Sequence, residues 1–417
     1  MKYKNKKVTV VGLARSGIAA AHLLKSLGAQ VSVTEKNASP ALEDTAAGLR
    51  AEGIAVELGG HSPDFMEGCG LVVISPGVRL DSEPVIWAKG HGIDCIGEIE
   101  LAAEFCPAPV IAITGTNGKT TTTTLVGEVI KAGGKMAHVA GNIGMPFSSI
   151  VSGVHKEDLV SLEVSSFQLE AIKDFHPKIS VILNLTPDHL DRYGSMEEYL
   201  AAKKRIFLNQ GPDDHLVLNY GDEALRNIAE ESPAKVVFFN KDASEEGFDQ
   251  NQMAVLAVAG ILGISRQACL EVFRGFKGVE HRMEFVRGLK GIEFINDSKA
   301  TNIDSTIWAL NNIKKPAVLI AGGRDKGSDF FSLARLVKQK IRYAVLVGEA
   351  SERIAAAWEG ILPVERVRTF PEAVQAAYRS AKAGEIVLFS PMCKSFDMFT
   401  DYEHRGRTFK ELVNQLK

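Results

Sequence analysis

Seven residues near the middle of the chain combine glycine, lysine and threonine in a way that suits phosphate binding. They follow an apolar run at residues 110–113 and precede another at 125–132, which predicts a strand, a tight turn and a helix. Glycine turns and helix N-termini direct backbone N–H groups at anions. Lys119 would neutralise the β- and γ-phosphates of a nucleotide, and the Thr120 hydroxyl would ligate Mg²⁺. Only two residues separate the glycines, which differs from the usual Walker A spacing. The predicted cradle consists of Gly115, Thr116, Asn117, Gly118, Lys119, Thr120 and Thr121.

Three further residues have side chains suited to metal or acid–base chemistry. Glu163 ends an apolar run at residues 159–163, as the metal-facing acid of a Walker B strand does. His189 lies just after the predicted strand 179–185 and has acids on both sides, although a lone loop histidine is more often ordinary surface. Lys203 lies on a predicted amphipathic helix at 197–208, where lysine is normally solvated.

The N-terminal segment predicts a Rossmann-like unit. A strand at residues 7–13 leads into the turn 12–17, a helix at 18–27 and a second strand at 30–34 that ends at Glu35. Ala14 stands where a dinucleotide fingerprint has its middle glycine, and its methyl group obstructs close approach to a pyrophosphate. A nucleotide ligand other than NAD is therefore favoured. The strand 71–77 ends in a turn that is either a ligand contact or a plain connection.

The C-terminal third alternates predicted strands with helices, which favours a third open parallel sheet. The predicted strands cover 291–296, 317–321, 343–347 and 385–389, and the predicted helices cover 333–340 and 371–381. Polar clusters follow three of these strands, at 297–302, 322–327 and 390–397. In open α/β sheets ligands bind at the carboxyl ends of the strands, so the clusters are candidate ligand contacts.

Composition limits the class of protein. The chain has 417 residues, 45% hydrophobic and 24% charged, with a net charge of −3 and five scattered cysteines. This length predicts two or three domains. Together with the elements and motifs above, we expect an α/β protein of three domains: a Rossmann-like N-terminal domain at 1–97, a central P-loop ATPase-like domain at 98–278 and a Rossmann-like C-terminal domain at 279–417. The near-neutral charge argues against nucleic acid or an anionic membrane as partner. The cysteine pattern fits the reducing cytoplasm, and we expect no signal segment and no membrane insertion.

Four stretches, together with the phosphate cradle, resemble the Mur ligases over nearly the whole length of the chain. The stretches are residues 162–170, 188–193, 296–302 and 390–397. The resemblance, sharpest at 296–302, implies an ATP-dependent amide ligase that adds D-glutamate to UDP-N-acetylmuramoyl-L-alanine through an acyl phosphate. Such a ligase acts in peptidoglycan precursor synthesis, and hence in cell wall biogenesis, cell shape and cell division. It is expected to be a cytoplasmic monomer with ATP and two Mg²⁺ ions.

The same resemblance assigns roles to individual residues. Catalytic roles fall to Lys119, Glu163, His189 and Lys203. The first Mg²⁺ is expected on Thr120 and Glu163, and the second on His189 and a carbamylated Lys203. ATP is expected on the cradle and on Asn251, Arg282 and Asp297. UDP-sugar contacts are expected at Arg15, Ser16, Glu35, Lys36, Ser75, Gly77 and Asn142, and D-glutamate contacts at Lys299, Thr301, Lys326, Ser395 and Phe396.

Two other functions are compatible with parts of the sequence. Another Mur-type ligase, such as a folylpolyglutamate synthase, shares the cradle but is disfavoured by the stretch 296–302. A nucleotide-sensing or NAD-dependent protein is disfavoured by Ala14 and by the intact set of Lys119, Thr120 and Glu163.

The segment 241–251 is shorter than the family pattern, which has additional chain and a His-Asn pair before the residue matched by Asn251. A shortened surface hairpin would cost little entropy. Alternatively, the sequence omits residues that the protein has between 244 and 251. We favour this second explanation, because losing part of the adenine pocket would weaken ATP binding.

Overall fold

The computed structural model describes residues 2–142, 144–189, 192–241, 247–325 and 327–417. Three sheets are distributed over two compact units, Met1–Phe276 and Lys277–Lys417. This is the α/β class expected from the sequence. Within the described ranges, no helix is long and apolar enough to cross a membrane. Residues 242–246 of the short segment lie outside the described residues.

The N-terminal sheet is fully parallel, with the strand order β3-β2-β1-β4-β5. Gly12 follows β1 with φ +102°, and a Cβ there would lie 2.8 Å from Ser75 Oγ, so the turn requires glycine. The first helix begins at Arg15, three residues before the predicted start. The strands are β1 Lys7–Val11, β2 Gln30–Glu35, β3 Ala55–Leu58, β4 Val72–Ile74 and β5 Cys95–Gly97. The helices are α1 Arg15–Ser26, α2 Pro40–Ala51, α3 Pro63–Met66, α4 Glu83–Gly90 and α5 Glu98–Ala103.

The central sheet is also parallel, with the order β11-β10-β9-β6-β8-β7. Its strand β6 is buried along its whole length, as the apolar run predicts. The strands are β6 Val110–Thr114, β7 Ala137–Gly141, β8 Leu159–Glu163, β9 Ile179–Ile182, β10 His215–Asn219 and β11 Lys235–Phe239. The helices are α6 Lys119–Ala132, α7 Phe147–Ile150, α8 Ser166–Leu169, α9 Met196–Lys204, α10 Glu223–Asn227, α11 Gln250–Leu262 and α12 Arg266–Gly275.

Two buried acids of α5, which follows the last strand of the N-terminal sheet, bind residues near the central sheet. Glu98 Oε1 accepts the backbone N–H of Ser148 at 2.6 Å and also its hydroxyl, and burial raises the pKa of Glu98. The Glu100 carboxylate accepts three successive backbone N–H groups at 2.7–3.0 Å, from residues 173–175. These contacts attach α5 to the start of α7 and to the loop at residues 173–175.

The C-terminal sheet is mixed, so the expectation of a purely parallel sheet is wrong. Its order is β12-β13-β17-β14-β15-β16, and only β12 runs antiparallel. The hairpin before β13 turns at Lys290 and Gly291, both with positive φ, which is the geometry of a two-residue hairpin. The strands are β12 Glu284–Leu289, β13 Ile292–Asn296, β14 Ala317–Ala321, β15 Ile341–Leu346, β16 Val364–Arg366 and β17 Ile386–Phe389. The helices are α13 Ile303–Asn312, α14 Ala334–Lys340, α15 Ser351–Ala357, α16 Phe370–Ser380 and α17 Tyr402–Gln415.

Candidate active site

The predicted cradle forms the turn between β6 and α6. Gly115 has φ +153° and Gly118 has φ +83°. A Cβ at Gly118 would lie 2.1 Å from Asn251 Oδ1, so any larger residue would displace one side of the loop. Lys119 Nζ donates to the carbonyl oxygens of Gly115 at 2.9 Å and Thr116 at 2.7 Å. The loop is therefore wrapped around the lysine that is expected to meet phosphate.

Asn184, which follows β9, supports the cradle from the neighbouring strand. Its Oδ1 accepts the backbone N–H of Asn117 at 2.8 Å, and its Nδ2 donates to the Asn117 carbonyl at 3.0 Å. Thr116 Oγ1 also donates to the Thr186 carbonyl at 3.1 Å. The sequence analysis did not assign Asn184 a role. Asn184 lies inside the predicted strand 179–185, and an amide side chain within that apolar run was the signal that could have identified it.

Asn251 lies in the first turn of α11 and contacts the cradle. Its Oδ1 accepts a hydrogen bond from Thr122 Oγ1 at 3.3 Å. The helix begins in a capping box formed by Asp249 and Gln252, which fixes where Asn251 points. The structure thus brings this predicted ATP contact to the phosphate loop, despite the short segment before it.

Glu163 ends β8, beside the strand that leads into the cradle, and is 1% exposed. Its Oε1 accepts a hydrogen bond from Asn142 Nδ2 at 2.8 Å. Among the residues that the structure describes, no donor reaches its Oε2, which is buried. An ionised carboxylate oxygen is costly to bury without a partner, and Mg²⁺ prefers carboxylate and hydroxyl oxygens. The orphaned oxygen, with the buried Thr120 in the adjoining helix turn, therefore fits a cation.

Lys203 is 1% exposed, although its position on an amphipathic helix suggests a solvated side chain. Its Nζ donates to the Gly115 carbonyl at 2.9 Å, the same oxygen that Lys119 contacts, and lies 4.4 Å from the ring centre of Tyr199. Burial lowers the pKa of Lys203 well below that of a solvated lysine, and the Lys119 ammonium lowers it further. The site therefore holds two amines close together, an arrangement suited to anionic groups.

His189 stands at the rim of the same region. Its backbone is left-handed, with φ +56°, and its ring meets the Phe167 ring edge-on at 4.6 Å. Its Nε2 lies 3.5 Å from an oxygen of Asp188. The ring centre is 6.5 Å from that of Tyr199, which also underlies Lys203. The His189 ring and Lys203 Nζ therefore both lie next to the Tyr199 ring.

Six of the seven predicted UDP-sugar residues lie at or just after the carboxyl ends of β1, β2 and β4, with Arg15 and Ser16 in the first turn of α1, whereas Asn142 follows β7 of the central sheet. Glu35 Oε2 accepts the backbone N–H of Leu13 at 3.0 Å, and Ser75 Oγ donates to the Gly12 carbonyl at 3.3 Å. Arg15, Lys36 and Gly77 are exposed beside them. Glu35 and Ser75 hold the loops together, while the exposed groups are accessible to a ligand.

In the C-terminal unit, Asp297 follows β13 and is buried. Its Oδ2 accepts from Ser390 Oγ at 2.8 Å, and its Oδ1 accepts the backbone N–H of Met283 at 3.2 Å. Burial raises the pKa of Asp297 to about 7, while the Ser390 hydrogen bond and the Arg282 charge oppose that shift. The hydrogen bond from Met283 to Asp297 attaches the loop that carries Arg282 to the end of β13.

The expected D-glutamate residues of this unit lie on two loops. The backbone N–H of Lys299 donates to the His281 carbonyl at 3.0 Å, and its Nζ lies 5.5 Å from the Tyr402 ring centre. Thr301 is half-buried, Ser395 is buried and Phe396 is 54% exposed. Lys326 lies outside the described residues.

Arg405 joins these two loops and was not anticipated. It is 1% exposed and donates to Ser298 Oγ at 3.1 Å, the Ser298 carbonyl at 2.8 Å and the Cys393 carbonyl at 3.1 Å. Arginine is rarely buried, so the sequence around Arg405 did not indicate that its side chain would be buried between the two loops. Its guanidinium fixes the spacing between the loops after β13 and β17.

A cluster of Glu280, His281 and Glu284 has metal-like spacing but is already neutralised. Lys410 Nζ donates to Glu280 Oε1 at 2.6 Å and to Glu284 Oε1 at 2.8 Å. A lysine therefore occupies the position in which a cation would be bound.

We expect Asp297 to make stability of the C-terminal unit depend on pH. Its folded pKa of about 7 exceeds the ordinary value of 3.8, so the folded carboxyl keeps a proton that the unfolded one loses between these values. Its contribution to the free energy of unfolding therefore falls as pH rises through that range. Urea unfolding of wild type and Asp297→Asn at about pH 5 and about pH 8 tests this. The wild type should lose stability relative to the variant at the higher pH, and an unchanged difference would contradict the expectation.

The fold and site define a class: a three-sheet α/β protein with a glycine-rich loop between a buried strand and a helix, and with a buried acid at the end of the neighbouring strand. Family profiles match its three parts, described as the Mur ligase MurD-like N-terminal domain at residues 6–97, the Mur ligase middle domain at 113–260 and the Mur ligase glutamate ligase domain at 281–393. The chain belongs to the Mur ligase family.

Curated relatives match over the full length. A protein of Geotalea daltonii is 42% identical over 447 aligned positions, covering 100% of this chain and 99% of its own. One from Caldanaerobacter subterraneus is 41% identical over 449 positions, covering 100% of both. Both are named UDP-N-acetylmuramoylalanine–D-glutamate ligase. Since this chain has 417 residues, at least 30 aligned positions of the first relative have no counterpart here.

Solved structures share the fold at low identity. The UDP-N-acetylmuramate-alanine ligase of Thermotoga maritima has a TM-score of 0.64 at 21% identity, covering 99% of this chain and 100% of its own. FolC of E. coli, solved with ADP, has a TM-score of 0.59 at 16% identity and covers 76% of this chain and 92% of its own. The curated relatives that match the full length therefore favour the D-glutamate-adding ligase over a folylpolyglutamate synthase.

Proposed function

We propose that this chain joins D-glutamate to the carboxylate of UDP-N-acetylmuramoyl-L-alanine, with ATP converted to ADP and phosphate. The observation that carries the proposal is the buried cradle in which Lys119 and Lys203 meet at the Gly115 carbonyl. Such a site suits phosphoryl transfer to a carboxylate. The identity of both substrates is supported by the names of relatives that match the whole chain. The product would serve peptidoglycan precursor synthesis.

The reaction follows from the weakness of a carboxylate as an acyl donor. The carboxylate oxygen of the UDP-substrate attacks the γ-phosphorus of ATP, and ADP leaves. The neutral amine of D-glutamate then attacks the acyl phosphate, and the tetrahedral adduct loses one amine proton, expels phosphate and becomes the amide. Lys119 and the N–H groups of the cradle neutralise and orient the transferring phosphoryl group, whose transition state needs placement more than bond-making residues.

We propose two Mg²⁺ sites on this chain. Thr120 and the orphaned Glu163 oxygen would hold the first, and His189 with a carbamylated Lys203 the second. When bound, Mg²⁺ neutralises phosphate charge and polarises the reacting oxygens. The orphaned Glu163 oxygen and the Thr120 hydroxyl are hard oxygen donors, which supports the first of these sites.

The carbamate on Lys203 is supported by its surroundings. An ammonium there would add a second positive charge beside Lys119 at the same carbonyl oxygen. Carbamate formation joins the neutral amine to CO₂ with loss of a proton, and it replaces a cation by an oxygen donor. The buried side chain is also shielded by Tyr199.

The remaining assignments concern ligand contacts. We propose ATP contacts at Asn251, Arg282 and Asp297. The exposed Arg15, Lys36 and Gly77 would meet the UDP-sugar with Ser16, Glu35, Ser75 and Asn142. Lys299, Thr301, Ser395 and Phe396 would meet D-glutamate together with Lys326.

The proposal includes three functional domains at 1–97, 98–278 and 279–417, binding the UDP-substrate, ATP and the amino acid respectively. It also includes a cytoplasmic monomer. All five cysteines are free thiols, which is consistent with a reducing compartment.

Phosphate release tests the function. It should require ATP, Mg²⁺, UDP-N-acetylmuramoyl-L-alanine and D-glutamate together, and a new amide should appear in the product. L-Glutamate is the matched control for the amino acid, and the UDP-sugar without L-alanine is the control for the acceptor. Activity with a reduced pterin and L-glutamate, but not with the UDP-substrate, would overturn the proposal in favour of a folylpolyglutamate synthase.

A further inference from the structure

An indole side chain lies against a candidate ATP-binding arginine in the C-terminal unit. Trp308, on α13, is 42% exposed. The guanidinium carbon of Arg282 lies 5.5 Å from its ring centre, within the range of a cation–π contact. The chain has three tryptophans, and Trp358 of the same unit is fully buried. Trp308 is therefore the exposed tryptophan of the C-terminal unit.

The backbone around Arg282 is held on both sides. The N–H of Arg282 donates to the Val279 carbonyl at 3.1 Å. The N–H of Met283 donates to Asp297 at 3.2 Å. The residues that flank Arg282, His281 and Met283, have φ values of +64° and +44°, which such side chains adopt only when neighbouring contacts impose them. The backbone from which the Arg282 side chain extends is thus fixed, but the side chain itself still has several rotatable bonds.

The indole ring of Trp308 restrains rotation of the Arg282 side chain without using its N–H hydrogen-bond donors. A guanidinium has five N–H donors in its plane. A carboxylate partner would bind that edge and neutralise its charge, whereas an aromatic ring contacts only the face. The Arg282 charge acts on the nearby Asp297 carboxyl, but the Asp297 oxygens accept hydrogen bonds from Ser390 and Met283 and, among the described residues, none from the guanidinium. The donor edge therefore stays available to an anion.

We propose that Trp308 is a positioning residue that stacks against Arg282 and holds its guanidinium for contact with ATP. The inference rests on the proposed function, in which Arg282 contacts ATP. It predicts that losing the ring weakens ATP binding through Arg282 alone and leaves the affinity for D-glutamate unchanged.

Titration calorimetry with Mg²⁺ and ATPγS on the full-length protein tests this. Trp308→Leu should raise the dissociation constant about two- to fivefold, the equivalent of an exposed cation–π contact. Trp308→Phe should stay within about twofold because it keeps an aromatic face. In steady state, Trp308→Leu should raise KM for ATP by the same factor with little change in kcat. Phe331→Leu, which removes another exposed aromatic side chain of this unit, is the matched control and should behave as wild type.

A double-mutant cycle decides whether the effect passes through Arg282. Arg282→Gln should weaken ATPγS binding, and adding Trp308→Leu should weaken it no further. Additive losses, an unaffected Arg282→Gln variant, or a Trp308→Phe variant as weak as Trp308→Leu would each overturn the inference. An equal rise in KM for D-glutamate would also overturn it, because it would indicate a general structural role.

The outcomes also separate this inference from the proposed function. If wild type releases no phosphate with the two proposed substrates while the cycle shows coupling, the proposed function fails and the role of Trp308 stands. If the enzyme is active and the cycle is additive, the inference fails alone.

Discussion

Lys119→Ala is expected to lower kcat about a thousandfold or more, since loss of one charge partner in phosphoryl transfer costs several kcal/mol. The physical reason is that Lys119 Nζ is held inside the cradle by the Gly115 and Thr116 carbonyls. Alanine leaves the backbone cradle in place but removes the positive charge that offsets the transferring phosphoryl group. Initial rates of phosphate release at saturating ATP and Mg²⁺ measure the effect.

Lys131→Ala is the matched control for this substitution. Lys131 lies on the same helix, is half exposed and pairs with Glu128 at 2.7 Å, so its loss should leave kcat unchanged. Thermal unfolding of Lys119→Ala should remain close to that of wild type, which separates loss of chemistry from loss of folding. Retention of a tenth of the wild-type rate by Lys119→Ala would reject the assignment of the cradle.

Lys203→Ala is expected to lower kcat roughly a hundredfold to a thousandfold, the range found when one group that stabilises a charged transition state is removed. The buried Nζ donates to the Gly115 carbonyl at 2.9 Å, and its carbamate would supply an oxygen ligand to Mg²⁺. Acetate or formate should partly restore the rate, because a small carboxylate fits the vacated space. Incubation with ¹³C-bicarbonate should give a carbamate NMR signal in wild type that Lys203→Ala lacks.

Lys204→Ala provides the comparison at the neighbouring position. Lys204 pairs with Glu231 nearer the surface, so its alanine variant should keep normal activity and need no acetate. A fully active Lys203→Ala variant, or an inactive Lys204→Ala variant, would show that the wrong lysine has been assigned. Rescue of Lys203→Ala by chloride as well as by acetate would argue against a carboxylate ligand.

The phosphate cradle could be predicted from sequence because every part of it is local. One strand, two glycines with unusual φ values and the first helical turn are contiguous along the chain. Asn184 could not be found in this way, because it is 67 residues from Asn117 and contacts it only through the pairing of β6 with β9. Arg405 was missed for the same reason, since it reaches Ser298 across 107 positions.

Lys203 shows where periodicity misleads. Its helix carries acids in the first turn and lysines in the last, a pattern typical of a solvated surface, yet this lysine is buried and its neighbour Lys204 is not. Helical periodicity indicates which residues share a face but not what packs against that face. The mixed C-terminal sheet is a similar case, because strand direction depends on the hairpin at Lys290 and Gly291 as well as on the apolar runs.

By itself, the sequence determined the α/β class, the number of sheets, the cradle and the family resemblance, all of which depend on contiguous residues or on the order of elements. Only the tertiary structure decided that Lys119 and Lys203 share one carbonyl oxygen, that a Glu163 oxygen is buried without a donor among the described residues, and that Trp308 lies against Arg282. The reason is physical: burial and partner choice depend on which segments the sheets bring together, and no local pattern encodes that distance.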